Sequence, residues 1–205
     1  MDKIIGGWNL PEVAAAQHAL VIRELTEHTT APVGPYVAFR WAMDMIGLEY
    51  ASLLDVGCGC GHYAVLCERF YPHVNYHGTD VSDPMTVYAR QLAPLSTFSV
   101  CEFRDNKFGD YDIILASQVL EQLDFPLDAL DTILLRARQY VILNRIRLTP
   151  DVSHRITEAT YAGNVGRNWL WNLDDIMQRI EQRAKIVAIN TELSANQATI
   201  VARRE

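Results

Sequence analysis

The sequence predicts an α/β fold: a doubly wound sheet of about seven mostly parallel strands, with helices on both faces and an antiparallel last strand. Three observations carry this. Short apolar stretches alternate with amphipathic ones from Ala51 to Asn144. The run Leu53-Leu54-Asp55-Val56-Gly57-Cys58-Gly59-Cys60-Gly61 passes from a buried strand into three glycines at alternate positions, a sharp strand-to-helix turn. Near the end, Lys185 to Thr191 and Gln197 to Ala202 are strand-like and separated only by Glu192-Leu193-Ser194-Ala195-Asn196, short enough for a hairpin that reverses the last strand.

Taken in order, residues 1–34 read as an N-terminal helical extension to a domain over residues 35–205. Pro11 suits a helix start, and His18, Val21, Ile22 and Leu25 recur at helical spacing, so this helix is expected to pack one face on the domain. The breakers Thr29-Thr30-Ala31-Pro32-Val33-Gly34-Pro35 end the extension. A second helix over Tyr36 to Ile46 delivers the chain to a strand at Ala51 to Val56. Then follow a helix at 62–71, a strand at 74–79, a helix at 84–93, strands at 97–103 and 111–116, a helix at 126–138 and a strand at 139–144. Pro126 opens the 126–138 helix, whose Leu127, Leu130, Ile133 and Leu134 share a face. Residues 145–171 read as a long irregular connection, and a helix at 173–183 carries Leu173, Ile176, Met177 and Ile180 on one face.

The glycine turn has a chemical reading. Missing side chains let a ligand lie against the backbone at the carboxyl end of the first strand. The dinucleotide fingerprint needs its third glycine at residue 62, which is His62; here it is Gly61, which favours a nucleoside without a pyrophosphate. Asp80, ending the second strand, can accept hydrogen bonds from both ribose hydroxyls.

These residues resemble the class I S-adenosylmethionine-dependent methyltransferases. Asp55-Val56-Gly57-Cys58-Gly59-Cys60-Gly61 is similar to the family's first motif and Asp80 to its ribose-binding acid. Tyr111 to Leu123 is similar to the fourth strand and the turn after it, and Tyr140-Val141-Ile142-Leu143-Asn144 to the fifth. The resemblance spans roughly residues 35 to 205 and implies a Rossmann-like sheet with S-adenosyl-L-methionine as cofactor. It further implies a pocket built from Asp55, Gly57, Cys58, Gly59, Gly61, Asp80, Val81, Asp105, Ser117 and Tyr36, with Asp105 near the adenine amino group. Gln122 departs from the pattern, since many relatives carry His there; it stands as a substrate contact.

Composition bounds the acceptor. The 205 residues are 49% hydrophobic and 21% charged, ordinary for one compact enzyme domain. A net charge of −7 gives no general attraction to phosphate backbones or anionic lipid, and Ser117-Gln118-Val119-Leu120 lacks the Asn-Pro-Pro-Tyr-like turn of nucleic-acid amino methyltransferases. Nucleic acid is therefore disfavoured, and a small-molecule or sugar-containing biosynthetic acceptor is expected. No segment approaches the roughly 20 apolar residues of a membrane span and the first residues lack a signal-peptide core, which predicts no membrane insertion and a cytoplasmic setting. Cys58, Cys60, Cys67 and Cys101 form no spaced disulfide or zinc framework. No metal is expected, because Ser117 stands where an acidic magnesium ligand would be wanted and Asn144 alone cannot hold the ion.

The connection 145–171 is read as a substrate-side lid, with Gly163 and Gly166 giving freedom and Trp169 or Trp171 an apolar wall. His154 is its best base by residue type, against a solvated loop histidine. Arg145 and Arg147 face either an acidic acceptor or solvent. Two rivals stay beside the methyltransferase reading: a nucleotide-cofactor oxidoreductase, and a methyltransferase-like binding or regulatory protein that has lost its chemistry.

Overall fold

The computed structural model describes residues 7–102, 109–159, 165–193 and 196–205. Two helices, α1 (Pro11–Glu27) and α2 (Gly34–Ile46), precede the sheet. The chain then alternates through β1 (Ala51–Val56), α3 (His62–Phe70), β2 (Val74–Asp80), α4 (Asp83–Leu92), β3 (Thr97–Val100) and β4 (Tyr111–Ser117). After a 3-10 turn at Leu120–Gln122 come α5 (Pro126–Arg136) and β5 (Ala137–Arg147). A two-stranded excursion, β6 (His154–Ala159) and β7 (Val165–Leu170), precedes α6 (Leu173–Glu181), β8 (Ala184–Asn190) and β9 (Gln197–Arg204).

The seven-stranded sheet runs in the order β3-β2-β1-β4-β5-β9-β8. Its first five strands are parallel, and β9 runs antiparallel to both neighbours. The crossovers from β1 to β2, β2 to β3 and β4 to β5 carry α3, α4 and α5, and the order reverses between β1 and β4, which opens a crevice at the carboxyl ends of those strands.

Strand alternation sorts the core into two layers. Leu53, Ile113, Leu115, Ile142 and Val201 face α2 and α3, where they meet Phe39, Ala42, Tyr63 and Leu66. Their neighbours Leu54, Ile114, Ala116, Leu143 and Ile200 face α5 and α6, against Leu130, Ile133, Ile176 and Ile180. A third, smaller cluster joins Val13, Ala14 and Val21 of α1 to Cys60 and Met85. The extension thus packs over the glycine turn and α4, and His18 stacks on Tyr88 with ring centroids 4.2 Å apart. Of the expected α1 face, Ile22 points to solvent, because the buried stripe runs through Val13, Ala14 and Val21.

The segment 145–171 corrects an expectation. It is not an irregular lid: β5 continues to Arg147, and β6 and β7 pair antiparallel from His154↔Leu170 to Glu158↔Gly166. Neither His154–Ala159 nor Val165–Leu170 alternates polar with apolar residues or carries a long apolar run, so no periodicity marks the hairpin. Its neck is closed where Thr149 N donates to Trp171 O at 2.9 Å and Trp171 N donates to Arg147 O at 2.9 Å. The third strand is also shorter than expected, ending at Val100. Asn172 caps α6, its side-chain oxygen accepting from Asp174 N at 3.0 Å and Asp175 N at 3.2 Å. Among the described residues no helix is long and apolar enough to cross a membrane.

Candidate functional site

The carboxyl end of β1 turns back on itself because Gly57 N and Cys58 N both donate to Thr79 O of β2, at 2.7 and 3.0 Å. Gly57, Gly59 and Gly61 have φ of 71°, 53° and 82°, all left-handed. Gly57 and Gly61 are also sterically fixed: a Cβ on Gly57 would overlap the Val119 side chain, and one on Gly61 would lie 2.9 Å from Ala89 Cβ. Gly59 differs, since a Cβ there would find nothing nearer than Met85 Sδ at 4.0 Å. Its missing side chain leaves open space in the crevice.

Asp80 closes the other side. One carboxylate oxygen accepts from Gly59 N at 2.9 Å and the other from Ser82 N at 2.8 Å, with Val81 N also contributing. The group is only 9% exposed; burial raises its pKa and the three amides oppose the rise. Asp55 lies deeper, accepting from Tyr76 OH at 2.5 Å on Oδ2 while Oδ1 is buried without a partner. Burial pushes its carboxyl up to about 7, against the lowering effect of the Tyr76 bond and with a smaller upward push from the Asp80 charge.

At the ends of β4 and β5, Ser117 and Asn144 are register partners. Asn144 Nδ2 donates to Tyr63 OH at 2.7 Å and to Ser117 Oγ at 3.2 Å, and Tyr63 OH lies 2.8 Å from Ser117 Oγ. Thr199 Oγ1 of β9 donates to Asn144 Oδ1 at 3.0 Å. This buried network ties four elements together at the rim of the crevice. Immediately past it stand two non-glycine residues in left-handed backbone, Gln118 at φ 51° and Arg145 at φ 57°.

The remaining expected residues fall as follows. Tyr36 is fully buried, its hydroxyl donating to Glu24 at 3.3 Å and its ring tilted against His62 and edge-on to Tyr63. Cys58 offers the turn its backbone; its thiol is packed into the space left by Gly78, and burial keeps it protonated. Val81 is half-buried at the start of the turn into α4. Gln122 donates to Gln118 O at 2.9 Å, supporting the left-handed turn. His154 stands at the base of the hairpin with Nδ1 2.9 Å from Val152 O, and none of its hydrogen bonds reaches the strand-end network. Asp105 lies outside the described residues.

Three groups in this region were not singled out as site residues from the sequence. His62 follows the glycines directly; its Nδ1 is buried and unpartnered, and burial, then the Arg145 charge, lower its pKa to about 3. Glu121 accepts from Arg147 N at 3.1 Å on one oxygen and leaves the other buried and free, so that its pKa rises to about 7. Tyr63 anchors the network. The signal for all three is position alone, being polar residues at the end of an apolar strand or turn.

The methyltransferase domain family matches residues 54–141, the stretch that holds the glycine turn, Asp80 and the end of β4. Over those residues the sequence matches the methyltransferase domain model. No curated protein matches it by sequence. Solved structures share this fold across nearly the whole chain. A TehB-like SAM-dependent methyltransferase from Corynebacterium glutamicum superposes with a TM-score of 0.65 at 17% identity, covering 96% of this chain and 100% of that one. An amino pentose methyltransferase from Micromonospora echinaspora, involved in calicheamicin biosynthesis and solved with SAM bound, gives 0.66 at 15% identity over 90% and 97%. The magnesium protoporphyrin IX methyltransferase from Synechocystis, solved with SAH bound, gives 0.63 at 15% over 95% and 86%. On that common sheet, this chain sets Ser117 at the end of β4 in register with Asn144 of β5, with Arg145 next along β5.

Proposed function

We propose that the protein transfers a methyl group from S-adenosyl-L-methionine to a small-molecule or sugar-containing acceptor. The observation that carries this is the crevice wall of Gly59, Asp80 and Asp55: an open glycine face, a carboxylate already oriented by backbone amides, and a buried carboxylate oxygen with no partner. These residues fit a nucleoside bearing cationic groups. Asp80 retains lone pairs for two ribose hydroxyls, and the free oxygen of Asp55 suits an ammonium or sulfonium charge.

When bound, the cofactor supplies an electrophilic methyl group on sulfur. The chain positions, dries and orients. Gly57 and Gly61, locked by Val119 and Ala89, fix the turn that the nucleoside lies on. The Ser117–Tyr63–Asn144 network holds the rim of β4 and β5 rigid, which is what an in-line displacement asks of its scaffold. Glu121 Oε2, free and titrating near neutrality, is the carboxyl beside that rim best suited to accept a proton. The net charge of −7 and the neighbours' named substrates support a small acceptor over nucleic acid.

Calorimetric titration with S-adenosylmethionine, S-adenosylhomocysteine and NAD tests the reading, with Asp80→Asn as the control. Micromolar binding of an S-adenosyl ligand that weakens in the variant supports it. Binding of NAD with no S-adenosyl ligand overturns it.

A further inference from the structure

Arg145 occupies an unusual place. β5 and β9 are in register at Leu143↔Ile200 and again at Ile146↔Ala198, so β5 carries one extra residue between them, a bulge that includes Arg145. The bulge is held by Arg145 N donating to Thr199 Oγ1 at 3.2 Å, and it leaves Arg145 with a φ of 57°. A bulky residue in that backbone region costs energy, and such outliers persist where the surroundings impose them. Here the distortion turns the Arg145 guanidinium onto Gln197 at the start of β9, where its Nε donates to Gln197 Oε1.

The guanidinium has little to neutralise it. Its Nε donates to Gln197 at 3.1 Å, and among the described residues it has no ion pair. Arg147, two residues on, is paired with Glu158. The Arg145 charge is felt by His62, Tyr63 and Tyr36, whose rings pack tilted or edge-on against one another, and by Glu121, which spends one oxygen on the Arg147 amide. A half-buried cation whose terminal nitrogens make no hydrogen bond to the described residues lacks an anion.

We propose that Arg145 forms an anion subsite for the acceptor, so that the methylated molecule carries a carboxylate or phosphate near its receiving atom. This rests on the methyltransferase reading. It distinguishes the acceptor class from neutral hydroxyl compounds and unmodified sugars. Orientation follows from the fork of the guanidinium: a bidentate anion pins one end of the acceptor and leaves the other to reach toward the Gly59 face.

The test uses the full chain saturated with S-adenosylhomocysteine and titrated with acetate and with inorganic phosphate, followed by calorimetry. Saturable binding of one anion is expected, weakened about tenfold or more in Arg145→Gln and partly kept in Arg145→Lys, which retains charge without the fork. Thermal melts confirm that both variants fold. Two outcomes overturn the proposal: neither anion binds the loaded wild type, or Arg145→Gln leaves anion affinity unchanged. A third overturns it differently. If Arg145→Gln weakens S-adenosylhomocysteine but not 5′-methylthioadenosine, which lacks the carboxylate, Arg145 serves the cofactor. Failure of the wild type to bind S-adenosylhomocysteine at all is visible in the loading titration and counts against the underlying reading instead.

Discussion

Tyr76 OH donates to Asp55 Oδ2 at 2.5 Å, and the second oxygen of the same carboxylate is buried with no partner. Burial holds this carboxyl at about 7 and Glu121 at a similar value, both above their ordinary ranges. A raised folded pKa means the folded state holds its proton more tightly than the unfolded chain. The stabilising contribution is therefore complete below about pH 4 and is lost as pH rises through about 7. Chemical denaturation across that window is expected to show stability falling from these two groups, with a flatter curve for Asp55→Asn. A curve unchanged by the substitution would remove Asp55 as a titrating group.

The same carboxylate links protonation to ligand. A cationic ligand stabilises ionised Asp55, so S-adenosyl ligands are expected to bind more tightly as pH rises through about 7 and to release protons on binding. Titration in buffers of different ionisation enthalpy counts those protons. Equal apparent enthalpies in all buffers at pH 6.5, or roughly there, would contradict the linkage.

Asp80→Ala and Asp80→Asn should separate. Alanine leaves the amides of Gly59 and Ser82 without their acceptors, each worth roughly 1–3 kcal/mol when buried, so a drop in melting temperature of several degrees is expected. Asparagine keeps an acceptor for one amide and sets its NH2 against the other, so it should lose less stability than alanine while binding S-adenosylhomocysteine about tenfold or more weakly. Similar affinities for wild type and Asp80→Asn would take the ribose role away from Asp80.

The glycines should divide between folding and binding. Gly57→Ala combines a left-handed φ with overlap on Val119 and is expected to be severely destabilising, only partly relieved by Val119→Ala. Gly59→Ala meets open space, so it should cost about 1–2 kcal/mol of strain yet obstruct the ligand. Melting curves and ligand titrations on both variants decide whether the two effects part in this way.

In the hairpin, Glu158 accepts from both Arg147 and Asn168. The pair is about one-third exposed, so Glu158→Ala should lower global stability by no more than about 1 kcal/mol. Hydrogen exchange should nonetheless accelerate across β6 and β7 while leaving β1 and β4 untouched.

How much of this is legible in the sequence depends on what kind of constraint acts. The passage from Leu53 to Gly61 is readable because left-handed backbone at Gly57 and Gly61 excludes other residues, and the strands around Leu54 and Ile114 because burial on both faces demands continuous apolar runs. Gln118 and Arg145 adopt the same backbone region without being glycine, so nothing in their type announces it. The strands His154–Ala159 and Val165–Leu170 escape periodicity because they pair only with each other and carry few apolar residues, in no alternating order. Glu121 looks like any charged residue in a turn; only tertiary packing reveals that it is buried. Gln122 sits where a substrate contact is expected, yet its amide is spent on a local carbonyl that sequence spacing cannot show.

The neck of the hairpin has an architectural corollary. Leu148 and Trp171 are bridged to one another, so the chain leaves the sheet and rejoins it at a single doorway. The strands between them pair only with each other, outside the ladder of β5 against β9. Such an architecture behaves like a cartridge socket: the hairpin is plugged in at one point, while the glycine turn takes its shape from β1 and β2, strands with which the hairpin does not pair.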